Sequence, residues 1–272
     1  MRPSHARTSR NARTALITGA SAGIGAEYAR QLARRGCNLV LVARRAEAIE
    51  TLAAELHEEY GVAVETRPAD LADPADLATV EERLRADGET AAPIDVLVNN
   101  AGCSSGGPFA HQDLASIEGM LALNIGAVTR LARAVLPVQL QRRRSGDHSG
   151  PIGIINVASV AGLLSGSPEG AVYAATKAFV VSLSESLTAE AGKDGVHVTA
   201  VLPGYVRTDM TRAVQERGLP EVAFVSKERV VTESLRAWAR GTGAVVPGMQ
   251  YKAAGVLLKL LPRPVARAIV TS

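Results

Sequence analysis

From Thr14 onward, short apolar runs alternate with longer stretches in which apolar residues recur every three to four positions. The runs at 15–18, 38–42, 62–66, 95–98, 152–157, 196–201 and 244–246 have the length and residue types of buried strands. The stretches near 23–35, 46–59, 74–86, 113–143, 172–192 and 227–240 have helical spacing. Strands alternating with helices build βαβ units, so the pattern predicts an α/β fold whose parallel sheet is covered by helices on both faces. Several ends carry their own signals. Asp73 before Pro74, with Asp76 following, offers an N-cap, a proline at the first helical position and an acid in the first turn. Pro137 is expected to kink or close the long stretch at 113–143, and 145–151 reads as a polar loop containing Gly146 and Gly150.

Composition narrows the class. The 272 residues are 47% hydrophobic but only 3% aromatic, so the core is expected to be Ala, Val, Leu and Ile. No composition break marks a second domain after Thr14. No uninterrupted apolar run approaches the roughly 18–20 residues of a spanning helix, so neither a transmembrane segment nor peripheral membrane contact is expected. The net charge of +3 is concentrated in residues 1–13 and in Arg142, Arg143 and Arg144, too locally for a nucleic-acid surface. Residues 1–13 carry four arginines and no acid, and read first as a disordered basic tail and second as a transit peptide. They have no apolar centre and are not a secretory signal. Cys37 and Cys103 are far apart and form no metal-type pair, so no metal site is expected and a reducing cytoplasm is the default localisation. The chain therefore divides into the tail 1–13, a nucleotide-binding domain at 14–248 and an apolar C-terminal tail at 249–272.

The candidate chemistry centres on Tyr173 and Lys177. Residues four apart share a helix face, so the phenol and the ammonium can enter one site, where a nearby cation would stabilise the phenolate and lower its pKa. Ser159, at the end of the run 152–157, can present a hydroxyl to the start of that helix. Tyr-x-x-x-Lys alone occurs on many helices in which the lysine simply reaches water. Between the first strand and first helix lies Thr18-Gly19-Ala20-Ser21-Ala22-Gly23-Ile24-Gly25, whose glycines allow a tight turn and close approach to a diphosphate held by helix N-terminal amides. At the end of the second strand, where an NAD enzyme places an acid, stand Arg44 and Arg45. Arginine there can pair with a 2′-phosphate and points to NADP(H) over NAD(H).

With these residues assembled, the chain resembles the short-chain dehydrogenase/reductase family over about residues 14–247. Thr18 to Gly25 looks like the family's cofactor loop, Asn99-Asn100-Ala101-Gly102 like its Asn-Asn-Ala-Gly motif, and Pro203-Gly204 like its Pro-Gly turn. Asn124, Ser159, Tyr173 and Lys177 match its catalytic tetrad, and Asp70-Leu71 the acid that contacts adenine. The resemblance implies a single-domain Rossmann fold, a doubly wound seven-stranded parallel sheet in the order 3-2-1-4-5-6-7. It implies that Tyr173 moves the proton on the substrate oxygen, Ser159 orients that oxygen, and Lys177 tunes the tyrosine and binds the nicotinamide ribose. Asn124 would hold a water that links Lys177 to solvent. Gly19, Ser21, Gly23, Ile24, Gly25, Arg44, Arg45, Asp70 and Leu71 would bind the adenosine and diphosphate half of the cofactor. Asn100, Ala101, Gly102, Pro203, Gly204, Val206 and Thr208, with Tyr173 and Lys177, would bind the nicotinamide half.

The segments Val160 to Leu164, Pro108-Phe109, and Tyr205-Val206 with Met210 favour an apolar substrate. Cys103 reads as a small buried filler before a pocket-lining thiol, and His111 as surface. The leading expectation is an NADPH-dependent oxidoreductase of hydrophobic ketones: a 3-ketoacyl thioester, a steroid-like ketone or a medium-chain ketone. The alternatives are a 3-ketoacyl-carrier-protein reductase that receives an acidic carrier on Arg130 and Arg133, and a non-catalytic NADP(H) sensor. The resemblance also implies a homodimer or homotetramer. The C-terminal tail departs from many family members. Its apolar stretch from Tyr251 to Leu261 is ranked first as a cover for the substrate pocket, then as a contact with a partner subunit, then as a membrane-surface element.

Overall fold

The computed structural model describes residues 12–252 apart from 149, 165, 166 and 217, and apart from the side chains of 213 and 214. The basic tail up to residue 11 and nearly all of the C-terminal tail lie outside the described residues. Arg13, grouped with the tail on sequence, already belongs to the fold: its carbonyl accepts the Asn38 N–H at 2.8 Å.

The apolar runs form strands because both their faces are covered. β1 (Thr14–Thr18), β2 (Asn38–Ala43), β3 (Val64–Pro68), β4 (Val96–Asn99), β5 (Ile152–Val157), β6 (Val196–Val201) and β7 (Ala244–Val245) pair in parallel in the order 3-2-1-4-5-6-7. Alternate residues serve opposite layers. Ala15, Ile17, Leu39 and Leu41 face α1 (Gly23–Ala33), α2 (Ala46–Tyr60) and α8 (Lys227–Ala239), in the cluster that holds Tyr28 and Trp238. Leu16, Val40, Leu97 and Ile154 face α3 (Pro74–Leu84) and α5 (Val128–Ser145), in the cluster that holds Leu84 and Leu131. The remaining helices are α4 (Leu114–Leu121), α6 (Ala171–Ala191) and the short α7 (Arg212–Glu216).

Two sequence expectations are corrected. The stretch 113–143 is not one α-helix: α4 and α5 are joined by a π-helical turn, Ala122–Ala127, that contains the fully buried Asn124. Pro137 neither closes nor ends α5, which runs on to Ser145 and a left-handed Gly146. Pro137 lies on the exposed side of the helix, where water can take the carbonyl that proline leaves without a donor. The Asp73 cap is as expected, accepting from the N–H groups of Ala75 and Asp76 at 2.8 and 3.0 Å. Leu114–Ser145 contains an 18-residue window of mean hydropathy 1.4, enough by length and composition alone to cross a membrane. Here it packs across the sheet through Leu131, Ala132 and Val135.

Sheet order reverses between β1 and β4, so the loops leaving the carboxyl ends of these strands diverge around a crevice. β5 and β6 deliver Ser159 and Pro203 to the same end of the sheet.

Candidate active site

The first wall is the turn after β1. Gly19 and Gly23 have φ of +64° and +57°, in the left-handed region that favours glycine. A Cβ on Gly25 would overlap the Gly19 carbonyl, so the turn and α1 close on each other only because Gly25 has no side chain. Thr18 and Asn100 staple this turn to the loop after β4. Thr18 Oγ1 accepts the N–H groups of Asn100 and Ala101 at 2.9 and 3.0 Å, and Asn100 Nδ2 donates to the carbonyls of Thr18 and Gly19 at 2.9 and 3.3 Å. The N-terminus of α1 has no side-chain cap and no acid in its first turn, whereas α3, α4 and α8 are capped by Asp73, Asp113 and Ser226. α6 also lacks a side-chain cap and a first-turn acid; at α1 the first-turn residues Gly23 and Ile24 line the cleft.

At the end of β2, Arg45 donates to Ser21 Oγ at 3.1 Å, and the exposed Arg44 guanidinium lies 3.8 Å from the Asp70 carboxylate. Asp70 also accepts the Ala72 N–H at 3.0 Å, which fixes the carboxylate in its turn. The cradle, the two arginines and Asp70 occupy one end of a continuous cleft of about 720 Å³.

At the other end, α6 places Tyr173 and Lys177 one turn apart, with the Lys177 Nζ 5.7 Å from the centre of the tyrosine ring. Lys177 is buried, and its Nζ donates to the Val157 carbonyl at 3.0 Å. Burial lowers its pKa to about 8. Burial raises the pKa of Tyr173, with the neighbouring Ser159 hydroxyl acting the other way. The direction is opposite to the lowering expected from Lys177: burial of the phenol dominates, and what opposes it is the Ser159 hydroxyl. Ser159 is held by the Ala161 N–H at 3.2 Å to its Oγ, at the start of the 3₁₀ turn Val160–Leu163. A Cβ on Gly162 would come within 2.7 Å of the Lys177 backbone, so this turn sits directly on α6.

Every candidate site residue except Gly25 and Asn124 lines this cleft. Gly25 supports the turn from behind. The Asn124 side chain is spent inside the protein: its Oδ1 accepts the Cys103 N–H at 3.0 Å, and its Nδ2 donates to the Cys103 carbonyl at 2.9 Å and to Thr176 Oγ1 at 3.1 Å. It braces the loop after β4 against α6. A Cβ on Gly102 would approach Asn124 Oδ1 and Lys177 Nζ to 3.1 and 3.4 Å, so this glycine lets the loop pass over both.

The apolar lining differs from the expectation. Val206 and Met210 line the cleft, but Val160 to Leu164, Pro108, Phe109 and Tyr205 do not. Val160 and Leu163 pack inward with Val180 and Leu202, Phe109 is exposed, and Tyr205 packs on Phe224. Met120, Leu123, Gly119, Ser116 and the half-buried Cys103 also line the cleft, together with the polar Ser104, Ser105, Asp209 and Thr211. Met120 and Leu123 sit where α4 runs into the π-turn, a feature with no sequence signal. Cys103 is thus a lining residue rather than a filler. Arg130, assigned to an acidic carrier on sequence, is ion-paired with Glu81; Arg133 is exposed.

The family model described as short chain dehydrogenase matches residues 13–218. The chain belongs to the short-chain dehydrogenase family. This short-chain dehydrogenase is accordingly an oxidoreductase of CH–OH and C=O groups. It is 37% identical over 225 residues to the oxidoreductase UcpA of Escherichia coli (strain K12), covering 83% of this chain and 80% of that protein. A short-chain dehydrogenase from Sphingobium yanoikuyae, solved in complex with NADPH, is 40% identical with a TM-score of 0.77, over 92% of this chain and 97% of that one. The bulky-bulky ketone specific alcohol dehydrogenase from Comamonas testosteroni, in its orthorhombic crystal form, is 38% identical with a TM-score of 0.75, over 93% and 96%.

Proposed function

We propose that this chain reduces hydrophobic ketones with NADPH. One observation carries the reading: Ser159, Tyr173 and Lys177 meet at one end of a cleft whose other end is a glycine cradle beneath an uncapped helix N-terminus flanked by two arginines. The cradle fits a dinucleotide. The α1 amides would take the diphosphate, Asp70 the adenine, and Arg44 with Arg45 a 2′-phosphate, while Thr208 and Lys177 would hold the nicotinamide end. NADPH, when bound, supplies the hydride.

The chain's own residues supply the proton and the geometry. A phenol whose pKa burial has raised is protonated at neutral pH, so Tyr173 is an acid ready to protonate the carbonyl oxygen. Ser159 offers that oxygen a second hydrogen bond and fixes its direction. Lys177, with a pKa near 8, is mostly cationic at pH 7 and stabilises the charge that Tyr173 acquires as it gives up its proton. Leu123 and Met210, backed by the buried Met120 and Val206, would supply apolar surface for the substituents of a ketone. The Comamonas relative, specific for bulky ketones, supports that choice, and the NADPH of the Sphingobium structure supports the cofactor. The pairing of Arg130 with Glu81 weighs against a carrier-protein-bound substrate. Assembly as a dimer or tetramer is part of the same reading, supported by the apolar groove along α5 formed by Leu136, Pro137 and Leu140 between Arg133 and Arg144.

The cofactor assignment is tested by steady-state kinetics with NADPH and NADH on the wild type and Arg44→Ala. The wild type should favour NADPH, and the variant should raise KM for NADPH roughly tenfold or more while leaving NADH within about twofold. Equal use of both cofactors by the wild type would refute the role given to Arg44.

A further inference from the structure

Tyr251 lies outside the cleft lining, against the back of the Pro203–Gly204 turn. Its half-buried ring packs on the cluster formed by α1, α8 and the sheet. A Cβ on Gly204 would overlap that ring, so the glycine of the Pro-Gly turn is what admits Tyr251. The Tyr251 hydroxyl accepts the Tyr205 N–H at 3.0 Å and donates to the Ala223 carbonyl at 2.6 Å. One oxygen therefore pins both ends of the segment 205–223.

The surroundings reinforce the junction. Gln250 Nε2 donates to the carbonyls of Val222 and Phe224 at 3.3 and 3.4 Å, and the Val225 N–H donates to the Tyr205 carbonyl at 2.9 Å. Beside it, Lys252 pairs with Glu233 of α8 at 2.8 Å. Between the pinned ends, Arg207 lies 4.2 Å over the Phe224 ring and pairs with Glu221. The same segment carries Val206, Thr208 and Met210 into the cleft.

We propose that Tyr251 is a positioning residue for the reaction: its hydroxyl fixes the span of segment 205–223 and thereby the cleft wall made by Val206, Thr208 and Met210. The proposal rests on the reductase reading. Loss of the hydroxyl frees a backbone N–H at the exposed Tyr205 and a carbonyl at the half-buried Ala223, which water can satisfy, so the fold persists while the segment loses its common anchor. A wall displaced by even about 1 Å seats a ketone badly without touching Ser159, Tyr173 or Lys177.

The test compares wild type, Tyr251→Phe and, as a control, Met249→Ala at an exposed neighbouring position, all as full chains. Two measurements are made: steady-state kinetics with NADPH and a bulky aryl ketone, and limited trypsin cleavage at Arg207 and Arg212. In Tyr251→Phe, KM for the ketone should rise about fivefold or more, with kcat within about twofold and its pH profile unchanged. Cleavage at the two arginines should accelerate by a similar factor, and Met249→Ala should change neither. A folded Tyr251→Phe with KM and cleavage rate both within twofold of wild type overturns the proposal. A lower thermal midpoint with unchanged KM overturns it too, because a purely structural tyrosine would give that result. If the wild type turns over no ketone, the reductase reading fails separately; cleavage then decides, faster supporting the anchor and unchanged overturning it. If Tyr251→Phe does not fold, Gln250→Ala, which loses two bonds to the same segment, should shift both measurements in the same direction, and no shift overturns the proposal.

Discussion

Lys177 is a buried ammonium whose Nζ donates to the Val157 carbonyl at 3.0 Å. The consequence for stability has a definite sign. Burial sets the folded pKa near 8, below the ordinary 10.5. Between those values the unfolded chain binds the proton and the folded chain does not, so stability rises with pH across that window. Below about pH 8 both states are charged and the full cost applies, on the order of 3 kcal/mol. Lys177→Met, similar in volume and uncharged, should therefore raise stability at pH 7 by roughly 1–3 kcal/mol while abolishing turnover. Urea denaturation at pH 7 and pH 10 reads this directly: the advantage should narrow towards pH 10. A destabilised variant, or an advantage independent of pH, would contradict the burial argument. In the proposed reaction that cost would serve a purpose, since a cation there would support a tyrosine that loses its proton and regains it.

At the scale of elements, the π-turn between α4 and α5 couples the fold to the site. It brings Asn124 inward to hold both backbone groups of Cys103 while reaching Thr176 on α6. Asn124→Ala would remove the protein partner of the half-buried Cys103 N–H and carbonyl and should cost about 1–3 kcal/mol in urea denaturation. A loss below about 0.5 kcal/mol would show that the brace is dispensable. The sequence gives no warning of this turn, because α4 and α5 share one helical periodicity and the extra residue depends on tertiary hydrogen bonds. The strands were legible for the opposite reason: burial on both faces demands contiguous apolar runs, and β1, β2, β5 and β6 lie within a residue of the runs that announce them. β3 starts two residues later than its run, at Val64, near an edge of the sheet where burial is weaker. The placement of Gly19, Arg44 and Tyr173 on one cleft was legible because it follows from local spacing at strand ends and a helix start. The staple made by Thr18 and Asn100, the lining by Met120 and Leu123, and the Tyr251 junction join residues far apart in the chain, and no local pattern encodes them.

Over the whole molecule, parallel pairing sends the carboxyl ends of β1, β4, β5 and β6 to one side, and the reversal of strand order opens the crevice there. One cavity of about 720 Å³ thus joins the glycine turn of β1 and α1 with Arg44 and Arg45 to Ser159, Tyr173 and Lys177 on β5 and α6. Each end alone has ordinary alternatives. Their continuity is what makes hydride transfer to a carbonyl the reading that uses both. The most direct measurement is NADPH oxidation at pH 7 with a bulky aryl ketone by wild type and Tyr173→Phe, with NADPH binding followed in parallel by fluorescence. Wild-type turnover that falls at least about a thousandfold in the variant, with NADPH affinity within about threefold, is the result predicted for a tyrosine that donates the proton. Undiminished turnover in Tyr173→Phe, or NADPH binding by the wild type with no reduction of any ketone, would contradict it.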